Sequence, residues 1–361
     1  YKNQRAAVYR QKDIQQSARD FLSVWDVQVY STNYLRTVMS VQSFLDGMLL
    51  SKTCYPPDID REQRVYDPTR TRELHLADIN CLTRAVDEEP LVTIKVRDLR
   101  KDPLNAFDRN PELIEELSAE VMTAQDFVQG DSTATTLAAR LANILPGLAR
   151  QDGYTSKTPS RVNWVDAVDH FVCRTAHDIS LSQFTDFEKD AHVDVTLQAM
   201  SHKTLAHLCW RFRQWYQHNR LLAVIAAPPL REIANQMVQQ TTNGPEKRPF
   251  VIYSCHDITI LGLLYGIAAD FLAVSDNESE ESGAWRYWPP YGSSLVFELV
   301  RIRDGPPTAM SHLVRVLLNG VPVKSLKATT SGMLSIRDFQ NIVADLEHAG
   351  GHDYESLLGQ K

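Results

Sequence analysis

The stretch Pro249–Ile267, PFVIYSCHDITILGLLYGI, changes its period in the middle. Phe250, Val251, Ile252 and Tyr253 form a continuous apolar run that predicts a buried strand. Ile260, Leu261, Leu264 and Ile267 then recur at helical spacing, with Gly266 near the end. His256 and Asp257 therefore stand where a strand ends and a helix begins. In α/β sheets that edge is where ligands bind. A helix N-terminus there offers unpaired N–H groups and partial positive charge, which suit phosphate. An imidazole beside a carboxyl at such a point can act as donor and acid for an anion's leaving group. The pair is also compatible with a plainer arrangement, in which Asp257 caps the helix and His256 lies on the surface.

A second strand–turn–helix lies upstream. Val27–Tyr30 predicts a short strand, Ser31 and Thr32 are good N-cap residues, and a helix is expected over residues 33–50 on the stripe Leu35, Val38, Met39, Leu45, Leu49. Arg36 falls in the first turns of that helix. A positive residue there opposes the macrodipole unless an anion is present. A guanidinium with helix N–H groups makes a phosphate cradle. A solvated arginine on an exposed face fits the same sequence.

With 361 residues the chain can bury one large core or two medium ones. A net charge of −7 argues against nucleic acid as a partner. No apolar run approaches a membrane span. Cys54, Cys81, Cys173, Cys209 and Cys255 are scattered and form no C-x-x-C, so zinc and redox motifs are absent from the sequence. The sequon at Asn277 matters only on a secretory route.

The remaining chain is read in order. Residues 5–24 predict an amphipathic helix, 51–90 a charged loop, and 91–96 a strand. Asn110 and Pro111 should cap and open a helix, and helical stripes continue to about Arg220. Trp164, Phe171, Trp210, Phe212 and Trp215 read as packing, and His202, His207 and His218 lack the i, i+4 spacing of a zinc helix. A further helix over 221–240 should be interrupted at Pro228-Pro229. The Asn243-Gly244-Pro245 turn and an acidic loop over 275–282 flank the organising segment. An alternating strand over 294–302, a type I′ hairpin at Asn319-Gly320, and a final helix opened by Ser335-x-x-Asp338 and ended at Gly350-Gly351 complete the chain. Strands thus cluster at both ends and helices in the middle. That order predicts an α/β fold with a helical insertion.

Three segments resemble one family in the same order. YSTNYLRT at Tyr30–Thr37 is similar to the "R-S-T-x-x-x-R-T" segment of histidine acid phosphatases, and His256-Asp257-Ile258-Thr259 to their "H-D-x-T" segment. WPPYGSSLVFEL at Trp288–Leu299 resembles the family's strand-opening signature. Pro228-Pro229-Leu230 within Leu222–Asn235 is similar to its returning helix, and Asp169 with Arg174–His177 to a structural segment of its helical domain. The likeness runs from about residue 1 to about residue 350. It implies a central mixed, mostly parallel sheet flanked by helices, with a mostly helical inserted domain. The implied division is 1–100 with 221–361 for the α/β domain and 101–220 for the helical cap. It further implies Arg36 as a phosphate clamp, His256 as a second phosphate ligand and Asp257 as general acid, with no metal and no cofactor.

The chain departs from the family at one point. It contains no R-H-G-x-R-x-P, the motif whose histidine attacks phosphorus and whose arginines bind phosphate. In the family that motif precedes the segment matching residues 5–24, and this chain opens at Tyr1 without Met. The expectation is an N-terminally incomplete phosphatase lacking its first strand and inactive as residues 1–361. Arg174–Asp178 and His352-Asp353 lie in the wrong context to replace it. The alternative is a non-catalytic phosphate- or phospholipid-binding relative. A metal-dependent phosphohydrolase is the third reading, prompted by three His-Asp pairs. Expected substrates are phosphomonoesters, either small phosphate esters or lysophospholipids, the latter from the Ser31-Thr32-Asn33 match. The resemblance implies a secretory, lysosomal or extracellular setting.

Overall fold

A computed structural model of the chain describes residues 20–49, 92–149, 162–183, 191–242, 248–272, 287–302, 312–328 and 333–357. The expected helix over 5–24 lies outside them except for residues 20–24, which are helical. The loops expected over 51–90 and 275–282, the turn at 243–245, the sequon, Cys54 and Cys81 lie outside as well. The fold is mixed α/β, in two compact units. One comprises residues up to Arg109 with Gln239–His256, the other Asn110–Val238 with the chain from Asp257 onward.

In the first unit, β1 (Trp25–Ser31), β2 (Ile94–Val96) and β3 (Arg248–Ser254) form a parallel sheet in the order β2-β1-β3. The register pairs Val29 with Ile252 and Ser31 with Ser254. Helix α1 (Leu35–Leu49) places Val38, Val41 and Leu45 on one buried face, the i, i+3, i+7 pattern of an amphipathic helix. Val41 and Leu45 meet the fully buried Val29, with Ile94 and Ile252 packed alongside. The N–H of Thr32 donates to the Ser254 carbonyl at 3.0 Å, carrying the ladder one residue past the end of β1. The segments leaving β1 and β3 thereby start from the same sheet edge. The short helix α2 (Ala106–Arg109) also belongs to this unit.

The second unit holds helices α3 (Pro111–Thr123), α4 (Gln125–Ser132), α5 (Thr135–Ile144), α6 (Trp164–Ala176), α7 (Ala191–Gln217) and most of α8 (Asn219–Thr242). Pro111 takes the first position of α3, but the Asn110 side chain makes no cap bond. The expected break at Pro228-Pro229 is corrected: α8 continues through both prolines. Each interior proline costs about 3 kcal/mol in lost bonding and steric clash. Leu221 and the run Ala223–Leu230 are all buried, prolines included, and that burial offsets the cost.

Helix α9 (Asp257–Gly266) packs its Leu264 and neighbouring Ile267, both at 0% exposure, against Ala226, Ala227 and Leu230 of α8. The same core takes in Val314 and Val316 of β5 (His312–Leu318) and Phe339, Ile342 and Val343 of α10 (Ile336–Leu357). Strands β4 (Leu295–Arg301), β5, β6 (Val321–Val323) and β7 (Leu334–Ser335) form an antiparallel sheet. Asn319 and Gly320 have φ of 51° and 80°, as a type I′ turn between β5 and β6 requires. Ser335 and Asp338 make the reciprocal capping box: Asp338 N–H to Ser335 Oγ at 3.0 Å, Ser335 N–H to Asp338 Oδ2 at 3.2 Å. α10 kinks at Gly351, whose φ of 56° ends the first helical run where the glycine pair lies. No helix among the described residues is long and apolar enough to cross a membrane.

Candidate active site

The division between the units falls at the His256–Asp257 peptide bond, so each residue has its own set of neighbours. On the first unit, Arg36 Nη2 lies 3.3 Å from Nδ1 of His256, and Thr32 Oγ1 lies 3.3 Å from its Nε2. A guanidinium carries only donors, so Nδ1 must accept. The imidazole proton then belongs on Nε2 and points to Thr32 Oγ1. With Thr37 Oγ1 donating to the Tyr34 carbonyl at 2.8 Å, the Thr32 hydroxyl donates to Thr37 Oγ1 at 3.0 Å. Elimination along this chain gives His256 as the neutral Nε2–H tautomer.

The sequence positions these groups through the sheet. β1 delivers Ser31 and Thr32, both at 0% exposure, and β3 delivers Ser254, whose Oγ donates to the Thr37 carbonyl at 2.7 Å. The expectation that Ser31 or Thr32 caps α1 is corrected. Helix α1 begins at Leu35, and the Tyr34 carbonyl accepts from the N–H of Thr37 and of Val38. Thr32 is turned instead to the imidazole, a partner 224 residues away in sequence. Arg36 lies in the first turn of α1, which has no acidic residue. Its guanidinium makes no ion pair among the described residues.

On the second unit, Asp257 is the first residue of α9. Its Oδ1 accepts from the Ile258 N–H at 2.8 Å, and its Oδ2 accepts from the indole Nε1–H of Trp288 at 2.8 Å. A negative side chain at a helix N-terminus is favourable. Phe212 packs against the Trp288 ring edge to face, centroids 5.2 Å apart. The hydroxyl of the buried Tyr216 donates to the Ile258 carbonyl at 3.0 Å, fixing the first turn of α9. Burial drives the Tyr216 phenol far above its ordinary value, the Asp257 and Tyr265 charges acting the same way, so it stays a donor.

Tyr291 stands at the second position of a turn closed by Ser293 N–H to Pro290 O at 3.1 Å, with Gly292 at φ 75° next to it. Its hydroxyl lies 2.9 Å from Cys173 Sγ. That contact first, then burial and neighbouring charges including Asp169 and Asp257, push the phenol up.

The other sequence candidates lie elsewhere. Arg174 sits at the C-terminal end of α6 and donates to the Ser180 carbonyl at 3.0 Å, with His177 at the helix cap. His207 pairs with the buried Asp131 at 3.0 Å, alongside Arg211 one turn on. The side chains of His352 and Asp353 lie outside the described residues. No cluster of three His, Cys, Asp or Glu side chains suited to a metal occurs among the described residues. Sequence reasoning missed Thr32 as the imidazole's partner, Tyr34, whose ring meets both the imidazole and the Arg36 guanidinium, and Trp288 on the carboxylate. For Trp288 the usable signal was the position of an indole donor inside the WPPYG signature.

A parallel sheet whose strand ends carry a guanidinium, an imidazole and a helix N-terminus has the make-up of an anion-binding α/β protein. The model of the histidine phosphatase superfamily (branch 2) matches residues 18–319, and the chain belongs to that superfamily. Membership supports phosphatase-type hydrolysis as the class of activity. No curated protein matches the sequence.

Proposed function

We propose that the protein is an acid phosphatase-type phosphomonoester hydrolase in which Arg36 clamps the phosphate, His256 donates to it, and Asp257 protonates the leaving oxygen. The observation that carries this reading is the Arg36–His256 pair, 3.3 Å apart at the end of parallel strands. Phosphoryl transfer asks chiefly for positioning and positive charge at the oxygens. A guanidinium that makes no ion pair among the described residues, together with a helix N-terminus, supplies both. Asp257 follows His256 in the chain, and the family resemblance implies it as the proton donor. Family resemblance supports a phosphohistidine route, and residues 1–361 contain no R-H-G-x-R-x-P to which the nucleophile can be assigned. Substrates are small phosphate esters or lysophospholipids.

The test is the leaving-group dependence of phosphomonoester hydrolysis by the protein. Asp257→Asn should cost most with alkyl phosphates and least with aryl phosphates of acidic phenols. Equal losses on both would remove Asp257 from the proton-donor role. The alternative reading is a phosphate-binding relative without turnover. It keeps Arg36 and His256 as anion ligands and differs in showing no hydrolysis.

A further inference from the structure

Tyr34 touches both proposed phosphate ligands. Its ring stands perpendicular to the His256 imidazole, with planes at 89° and centroids 4.9 Å apart. The Arg36 guanidinium lies over the same ring, 4.4 Å from its centroid. The face of an aromatic ring is negative, so a cation over it is attracted and loses freedom. The ring itself is tied down at its far end. The Tyr34 hydroxyl donates to the Asp108 carboxylate, which also accepts from Asn105 Nδ2 at 2.8 Å. Burial pushes the Tyr34 phenol up, and the Asp108 bond and charge push it further, so it keeps its proton and its anchor.

We propose that Tyr34 is a positioning residue of the anion site: its ring, locked by Asp108, holds Arg36 and His256 together so that both address one phosphate. The inference rests on the reading of Arg36 and His256 as phosphate ligands. A long arginine at the head of a helix otherwise samples many rotamers, and an anion would have to order it on binding. The ring removes that disorder in advance. Asp108 reaches the site only through the ring, so its effect on binding should be smaller than that of the ring itself.

The experiment is calorimetric titration of the full chain with inorganic phosphate. Tyr34→Leu should weaken binding about tenfold, the scale of a partly desolvated cation–π contact. Tyr34→Phe, which keeps the ring and loses the anchor, should weaken it about threefold or less, and Asp108→Ala, which removes the acceptor, should match it. In an Arg36→Ala background, Tyr34→Leu should cost much less than it does alone, because its effect runs largely through Arg36. A residue that merely supported the fold would show full additivity there. Wild-type affinity in both Tyr34→Leu and Asp108→Ala would overturn the role of Tyr34 and leave the phosphate reading intact. Absence of phosphate binding by the wild-type chain would overturn the phosphate reading itself. Should Tyr34→Leu fail to fold, the Phe and Asp108→Ala pair decides the matter: parallel modest losses support the lock, unchanged affinity in both refutes it.

Discussion

The indole Nε1–H of Trp288 donates to Oδ2 of Asp257 at 2.8 Å. An indole offers a donor and nothing else, so it serves the ionised carboxylate, which is the form that the proposed proton donation by Asp257 leaves behind. Trp288→Phe keeps the packing against Phe212 and removes the donor. In the variant, kcat for alkyl phosphates should fall about tenfold, while KM and phosphate inhibition stay near wild type. A matched loss for aryl phosphates with acidic phenols, or a rise in KM alone, would show that Trp288 serves binding or folding instead.

The Nδ1 of His256 accepts from Arg36 in the free site, so a phosphate that takes its place meets a lone pair. A phosphomonoester dianion carries no hydrogen on its oxygens, so it needs a donor there, and Nδ1 must gain a proton to provide one. At about pH 8 an ordinary imidazole is neutral, so binding of such a dianion should draw in close to one proton. Calorimetry in two buffers of different ionisation enthalpy measures this directly. Binding heats independent of the buffer would contradict the tautomer assigned here.

Stability should depend on pH through Asp131. This carboxylate is buried on α4 and meets His207 Nε2 at 3.0 Å and the Arg211 guanidinium, one turn apart on α7. Burial pushes its carboxyl up, but the His207 bond and the Arg211 charge and bond outweigh it and hold the group below its ordinary 3.8. The folded value lies below the unfolded one, so this contribution is complete above about pH 4 and fades as pH falls through the folded value. Asp131→Asn should cost about 3–5 kcal/mol near neutral pH, the scale for breaking a buried pair. Urea midpoints of the two proteins should converge in acid. A difference that stays constant as acid is added would exclude the linkage.

Gly266 is a packing requirement. A Cβ built there would lie 2.8 Å from Ala226 Cβ and 2.9 Å from Leu230 Cδ1, so α9 and α8 would have to part. Gly266→Ala should destabilise by about 1–3 kcal/mol through overpacking, against the usual helical gain of replacing glycine. A raised urea midpoint would show that the two helices give way freely.

The parts of the fold that a local pattern encodes were legible in the sequence. The period change around His256, the Asn319-Gly320 turn, the Ser335–Asp338 box and the strands at β1 and β3 each depend on residues within a few positions. The path of α8 through Pro228-Pro229 was not, because it depends on burial supplied by α9 and β5 rather than on helix propensity. The site divides the same way. Arg36, His256 and Asp257 announce themselves by their position at element ends, whereas the contacts that orient them are long-range. Thr32 reaches His256 across 224 residues, and Trp288 reaches Asp257 across 31. A sequence read as an N-cap, Ser31-Thr32, gave no sign that a hydroxyl would face an imidazole instead.

Titration of the full chain with inorganic phosphate, followed by calorimetry, tests the central claim most directly. Arg36 and His256 should act as joint ligands of one anion, so Arg36→Ala and His256→Ala should each weaken binding at least about tenfold. The double variant should lose little beyond the worse single one, because the two groups share a ligand. Phosphate bound with wild-type affinity by either single variant, or by the double, would place the anion elsewhere and contradict the account.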